Sequence, residues 1–311
     1  MKKIIIYVIL VLWTTSAVGK THIPKTIVDF KFSNDVFYGT DRYFTNGLQL
    51  KIYSDFKSKS PVNYILLPDS KSEKTYFAAT IIHNIYTPTN LSTSDIQFID
   101  EPYAAYLLVG NRKESYNSHR KLKKVSAFQL GLIGPFAGGE LAQNSVHRLL
   151  PGNEPARGWE NQVSNDLAIQ YMASIEKGLI SRKIFEMNGF AYGIVGNPYT
   201  EFSTGYRVRF GRFEDFFSGL GLGMTKNFQL YVYSKAELTY VVYNAVLKGG
   251  LFHDDNLFDI GHIHRLLGHA VFGFGIVYKR MKLEISQDIH TPQFKGADVH
   301  RWGNVRIIFG G

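Results

Sequence analysis

Side chains that could bind a cation or move a proton are concentrated in two short segments of the sequence. Asn34 and Asp35 stand just before a polar run that begins at Asp41, and His147 lies far along the chain. An Asn-Asp pair supplies hard oxygen ligands, which suit calcium better than zinc or copper. Considered alone, however, this pair also has the composition of an Asx turn that ends a strand. A lone histidine on an amphipathic helix is likewise more often an exposed residue than a base.

The segment around His147 has the composition of a short helix, which we place near 139–150. It contains good helix formers, lacks two-residue alternation and is followed by Pro151-Gly152. At 3.6 residues per turn, its polar side chains share one face: Glu140, Gln143, Asn144 and His147. The helix therefore presents its ionisable residues together.

Standard catalytic signatures are absent from the sequence. It contains no Gly-x-Ser-x-Gly elbow, His-Glu-x-x-His motif, P-loop or dinucleotide fingerprint. Cysteine is also absent, which excludes disulfides and thiol catalysis. His262, His264 and His269 could suggest a metal site, but their Gly and Leu neighbours are typical of a loop entering a strand. We therefore expect no metal there.

Two-residue alternation is the dominant pattern in the elements that must position these residues. Val28, Phe30 and Phe32 alternate with Asp29 and Lys31, which predicts a strand with one apolar and one polar face. Comparable runs lie at about 48–52, 75–85, 103–117, 122–133, 162–176, 183–197, 201–212, 229–246, 265–278, 280–290 and 300–309. About twelve strands are predicted, an even number that would bring both termini to one side of a closed barrel.

Strand length and composition favour a membrane barrel over a soluble sandwich. Sandwich strands usually have five or six residues, whereas a tilted membrane strand needs about nine to eleven. The chain has 19 Tyr, 23 Phe and 29 Gly at a mean hydropathy of −0.11. It is too polar for a helical membrane protein, yet it has the aromatic content of membrane girdles. We therefore predict an all-β fold, a transmembrane antiparallel β-barrel in a single domain, 20–311.

The N-terminus has the pattern of a secretory signal, assigned here to 1–19. Lys2 and Lys3 precede the apolar run Ile4–Trp13, and small residues end the segment at Gly19. The apolar run is too short for a membrane-spanning helix. The formal net charge of +9 could suit nucleic acid, but export makes anionic lipid headgroups the expected partner. We expect a monomer in the bacterial outer membrane.

Several segments together resemble the outer-membrane lipid A 3′-O-deacylase family, known as LpxR. The similarity is carried by residues 33–35, 40–48, 100–106 and, most specifically, the run Gly131-Leu132-Ile133-Gly134-Pro135-Phe136-Ala137-Gly138-Gly139-Glu140-Leu141-Ala142-Gln143-Asn144-Ser145-Val146-His147-Arg148. Looser similarity continues through 196–199 and 291–296, so the resemblance covers nearly the whole mature chain.

The resemblance implies a twelve-stranded barrel with a calcium site between the barrel wall and a short helix, near the outer leaflet. Asn34 and Asp35 match the family's calcium-site pair, and Thr45 matches a hydroxyl residue of the same site. His147 matches the proposed general base, and Gln143 lies one helical turn earlier. The implied reaction is calcium-assisted hydrolysis of an acyl ester of lipid A, without a covalent acyl-enzyme.

One family position has no counterpart in this sequence. After the motif at 85–88 some members carry a lysine, whereas here no basic residue occurs before Arg112. Three interpretations stay open: another residue meets the lipid A phosphate, a second divalent ion does so, or the substrate preference is shifted. Two other functions stay open: an outer-membrane phospholipase with a serine nucleophile, and a barrel without enzymatic activity. Ser145 lies two residues before His147, which on a helix points the two side chains to different faces.

Overall fold

The computed structural model describes residues 26–68, 71–149, 154–222, 228–253 and 262–310, so the predicted signal segment 1–19 lies outside the described residues. The strands are β1 (Thr26–Asn34), β2 (Tyr43–Ser54), β3 (Lys74–Thr87), β4 (Ala104–Asn117), β5 (Leu122–Ile133), β6 (Asp166–Ser181), β7 (Phe185–Asn197), β8 (Tyr199–Arg212), β9 (Phe228–Asn244), β10 (Leu266–Tyr278), β11 (Met281–His290) and β12 (His300–Gly310). The helices are α1 (Gly139–Leu149) and α2 (Ala245–Lys248).

These strands form one closed antiparallel barrel. Each strand pairs with its neighbours along the chain, and β1 pairs with β12 from Ile27 opposite Gly310 to Asn34 opposite Gly303. Closure leaves no sheet edge unpaired, which is the condition for a sheet to cross a bilayer. The predicted twelve-stranded membrane barrel is confirmed.

The two faces of the wall differ as the alternation predicts. Inside, Asp29 accepts from Lys51 at 3.0 Å and from Arg306 at 2.8 Å, and Arg306 also pairs with Glu284. The outer face exposes apolar side chains, as at Val109, which is 51% exposed. Charged groups thus neutralise one another in the lumen, while the apolar face is left for lipid.

The connections divide unequally between the two rims. One rim carries the start of β1, the end of β12, the short turns after β4, β6 and β10, and the connections 55–73 and 213–227. The other rim carries the longer segments 88–103, 134–165 and 245–265. Barrels of bacterial outer membranes have short periplasmic turns and longer external loops. The rim bearing α1 is therefore the external one. No helix in the described chain is both long and apolar enough to span a membrane.

Helix α1 packs on the outer surface of the wall near this external rim. Gly139 lies so close to the wall that an added Cβ would stand 2.5 Å from the Cβ of Ala105 on β4. Below it, His83 on β3 makes a 2.9 Å hydrogen bond through Nε2 with the Ala137 carbonyl, just before the helix. The helix is therefore fixed at its N-terminal end against β3 and β4.

Candidate active site on the outer wall

Asn34 ends β1 on the outer face and shapes the turn that follows. Its Oδ1 accepts the Val36 amide at 2.7 Å, which caps the short 3-10 helix Asp35–Tyr38. The turn ends at Gly39, whose φ of 68° is readily adopted only by glycine. The Asx turn expected for an isolated Asn-Asp pair is therefore formed. One lone pair of the Asn34 carbonyl oxygen is used by this turn.

Asp35 is completely buried beneath the turn. Its Oδ2 accepts the Thr40 hydroxyl and the Arg42 amide, each at 2.9 Å. Its Oδ1 is buried and has no hydrogen-bond partner. Burial raises the pKa of the Asp35 carboxyl to about 8, although the two hydrogen bonds oppose the shift. An acceptor oxygen in this state is suited to a cation or to a proton.

Thr45 lies in a bulge of β2, where the pairing with β3 shifts between Phe44 and Asn46. The bulge turns the buried Thr45 hydroxyl onto the Thr87 hydroxyl, 2.6 Å away. Thr87 also donates a long 3.5 Å hydrogen bond to the Asp41 carbonyl. The two hydroxyls thereby connect the wall to the loop that carries Asp41.

Asp41 is the centre of the side-chain network. Its Oδ2 lies 2.8 Å from His147 Nε2, and its Oδ1 accepts from Gln143 Nε2 at 3.1 Å. On the far side of the imidazole, Nδ1 lies 2.8 Å from the Glu154 carbonyl oxygen. One loop carboxylate therefore holds two side chains that stand one turn apart on α1.

A buried tryptophan supports this network from behind. Trp159 Nε1 donates to Gln143 Oε1 at 2.9 Å, and its indole packs with Tyr103 and Ala105 of the wall. Asn144 donates through Nδ2 to the Ala156 carbonyl and accepts the Ala156 amide at Oδ1. These two hydrogen bonds attach the helix to the segment that follows it. Gln143 is therefore fixed at both ends of its amide, and it fixes Asp41 in turn.

The hydrogen bonds of His147 determine which nitrogen can accept a proton. A carbonyl oxygen can only accept, so Nδ1 carries a hydrogen and Nε2 is the basic nitrogen. Nε2 lies 2.8 Å from Asp41 Oδ2, within hydrogen-bond distance of the carboxylate. Burial raises the pKa of Asp41, while the adjacent imidazole acts in the opposite direction. The pair can therefore take up and release a proton at this position.

The structure brings the predicted residues together through a residue that the sequence reasoning did not assign. Gln143 and His147 meet at Asp41, while Asp35 and Thr45 approach the same loop through Arg42 and Thr87. The sequence signal for Asp41 was its place in the polar run after Asp35. Glu140 lies on the same face of α1 as Gln143 and His147, but its side chain is exposed whereas theirs are buried.

The oxygen atoms predicted to bind calcium fit that ion in kind. Asp35 offers an unpartnered buried carboxylate oxygen, and Asn34 and Thr45 add a carbonyl and a hydroxyl oxygen. Within the described ranges, no group of three or more His, Asp or Glu side chains is arranged around a common point. A cation here would rely on neutral oxygens beside Asp35.

Comparison with known proteins points to a single family. The family model described as outer membrane protein LpxR matches residues 4–310. Among solved structures, LpxR from Salmonella typhimurium is similar at a TM-score of 0.72 and 22% identity, over 92% of this chain and 100% of that one. The β domain of the Bordetella autotransporter BrkA follows at a TM-score of 0.45 and 9% identity, over 93% and 100%. No curated protein matches the chain.

Proposed function

Since this chain belongs to the LpxR family of outer membrane proteins, we propose that it is a calcium-dependent esterase that removes the 3′-linked acyloxyacyl group from lipid A. The observation that carries the proposal is the position of the Asp41–His147–Gln143 network. It lies on the outer face of the barrel wall at the external rim, between the wall and α1. A lipid of the outer leaflet can reach this position without leaving the membrane.

His147 acts as the general base in the proposed reaction. Its Nε2 takes a proton from water, the hydroxide oxygen bonds to the ester carbonyl carbon, and the bond to the sugar oxygen then breaks. The imidazolium returns its proton to the departing sugar oxygen, so the products are a free acid and the 3′-alcohol. Throughout the reaction Nδ1 keeps its hydrogen, which it donates to the Glu154 carbonyl oxygen.

Asp41 stabilises the positive charge that forms on His147 during this step. Its oxygen occupies the place beside Nε2 that water needs, so the direct 2.8 Å contact must open by the width of one water molecule. Gln143 holds the other carboxylate oxygen, which lets Asp41 turn about that anchor and accept the second hydrogen of the water.

Asp35, Asn34 and Thr45 are the residues that would hold calcium. When bound, the ion would polarise the ester carbonyl and stabilise the negative charge on its oxygen. The unpartnered Oδ1 of Asp35 supports this assignment, because an ionised buried carboxylate needs a cation or a set of donors.

A serine-dependent phospholipase is the less favoured alternative. Ser145 lies on the neighbouring helix face, and both nitrogens of His147 are engaged, by Asp41 and by the Glu154 carbonyl. No Ser-His contact therefore exists within the described site. A barrel without activity would need neither the unpartnered Asp35 oxygen nor the Asp41–His147 pair.

Mass spectrometry of lipid A from cells with and without the chain tests the proposal. Expression should shift lipid A to a species lacking the 3′-linked acyloxyacyl group, and a chelator of calcium should prevent the shift. His147→Ala should insert normally and leave lipid A unchanged. Unaltered lipid A in the presence of the correctly inserted parent chain would contradict the proposed activity.

A further inference from the structure

A basic depression lies on the outer face of the barrel at the opposite, periplasmic rim. It encloses a cavity of about 210 Å³ between β4, β5 and the turn that precedes β3. Cationic and neutral hydrogen-bonding side chains line it, and we call them the basic cradle: Lys71, Ser72, Ser115, Asn117, Arg120 and Lys124. No carboxylate is among the lining residues.

Strand alternation places this cradle on the lipid side of the wall. Glu114 and Lys123 point inward, where they pair at 3.0 Å, so their neighbours Ser115 and Lys124 point outward. Ser115 and Lys124 stand directly opposite each other in the β4–β5 register. Ser115 also faces Thr75 on β3, and the next outward-facing pair along these two strands is Phe77 opposite Lys113. Opposite Lys124 on β6 stands Ile175, an outward-facing apolar side chain that is 46% exposed. The cradle therefore adjoins exposed apolar surface on its β6 side.

The cradle is held in shape by Asn117. Its Oδ1 accepts the Arg120 amide at 2.7 Å, and its Nδ2 donates to the Lys71 carbonyl. The backbones that carry two of the three cations are thereby joined through one side chain. Lys71 itself has a φ of 71°, an uncommon conformation for a residue with a side chain. The arrangement is fixed before any ligand arrives, which lowers the entropy lost on binding.

The three cations of the cradle have no carboxylate partner among the described residues. Nearby acids are occupied elsewhere: Glu73 accepts from Ser118 and the His119 amide, and Asp215 pairs with Lys121. Lys177 adds a further positive charge beside the cradle, where it donates to the Arg120 carbonyl. Three cations with serine hydroxyls form a site for a phosphate group.

We propose that the basic cradle binds the phosphate headgroup of an anionic phospholipid from the periplasmic leaflet. The phosphate would lie between Lys71, Arg120 and Lys124, with the acyl chains of the lipid directed along the outer face of β6 beside Ile175. A lipid is favoured over a soluble anion because the cradle lies on the outer face of the wall beside the exposed apolar side chain of Ile175. This inference rests on the barrel and its membrane orientation alone, and it is independent of the proposed esterase activity.

Native mass spectrometry of the detergent-solubilised full chain tests the proposal, with dioleoyl phosphatidylglycerol and dioleoyl phosphatidylcholine as probes. One phosphatidylglycerol should bind with clear preference over phosphatidylcholine. The triple variant Lys71→Gln, Arg120→Gln, Lys124→Gln should weaken that binding on the order of 100-fold, since each cation near a lipid surface contributes roughly fivefold. Equal binding of the two lipids to the parent chain would overturn the proposal.

A matched variant removes the same charge from other turns of the same rim: Arg182→Gln, Lys183→Gln and Lys279→Gln. Lys279, like Lys71, has a positive φ, at 53°, so each triple variant changes one residue in this uncommon conformation. The matched variant should bind phosphatidylglycerol like the parent. Equal losses in the two variants would show diffuse attraction instead of a site.

Two further arms keep the test decisive. Millimolar inorganic phosphate should not displace phosphatidylglycerol, and displacement would assign the cradle to a soluble phosphate and refute the lipid assignment. If the triple variant fails to fold, the exposed single changes Lys71→Gln and Arg120→Gln serve instead, each with an expected loss of about fivefold. Unchanged binding in both single variants would also refute the assignment.

Discussion

Asp41→Asn is the most informative single change at the candidate active site. Asparagine keeps the size of the side chain and can still meet Gln143, but it removes the negative charge that lies 2.8 Å from His147 Nε2. If His147 is the base, the imidazolium formed during ester hydrolysis loses its counter-charge. The change should therefore lower kcat and leave substrate binding largely intact.

The size of the effect follows from the geometry of the pair. In the reacting arrangement one water molecule separates the pair, so the two charges stand about 5.5 Å apart and attract by about 0.8 kcal/mol in water and by about 3 kcal/mol at an effective dielectric constant of 20. The His147 side chain is 10% exposed and that of Asp41 is 33% exposed, so the pair lies between these limits. A loss of about 2 kcal/mol corresponds to a fall in kcat on the order of 30-fold.

The assay measures release of acyl chains from lipid A by purified, refolded barrels, with kcat and KM determined separately. Asp298→Asn is the control, because Asp298 is an exposed carboxylate on the same rim that pairs with Arg42 at 2.8 Å. That variant should retain parental kcat. If Asp41→Asn hydrolyses lipid A within twofold of the parental rate while heat-modifiable migration shows a folded barrel, Asp41 does not act on His147 and the role proposed for the pair is wrong.

Three other changes test the surroundings of the pair. Because the pKa of Asp35 is raised to about 8, calcium must displace a proton from this carboxyl below that pH. Calorimetry should show the apparent Kd for calcium weakening about tenfold per pH unit below pH 8. A Kd that stays constant from pH 6 to 8 would exclude Asp35 as a ligand. Trp159→Phe removes the donor to Gln143 Oε1 and should lower kcat roughly tenfold, because an unsatisfied buried amide costs about 1–3 kcal/mol. A parental kcat in this variant would show that the position of Gln143 does not depend on this hydrogen bond. Gly139→Ala should push α1 from the wall, since the new Cβ would lie 2.5 Å from that of Ala105, and it should reduce kcat without unfolding the barrel. Leu141→Ala on the exposed helix face is the control. An unaffected Gly139→Ala enzyme would show that the helix need not touch β4.

The sequence was sufficient to predict the barrel, because its alternation has a local physical cause. Successive side chains of a strand point to opposite faces, so a wall between lipid and a polar lumen imposes a period of two that is visible in Val28 to Phe32. The helix around His147 was predicted for a similar reason, since composition and Pro151 define it locally. The resemblance to a known family supplied residue roles that no local pattern could give.

The tertiary structure alone decided which groups meet. Asp41 and His147 are far apart in sequence, and nothing in the spacing between them showed that one loop carboxylate would hold both Gln143 and His147. The sequence likewise did not show that Glu140, on the same helical face, would be exposed. Side-chain contacts between the β1–β2 turn and a helix inserted after β5 depend on barrel closure and on packing at Gly139. Such contacts join distant parts of the chain, so their geometry exists only after the strands have closed.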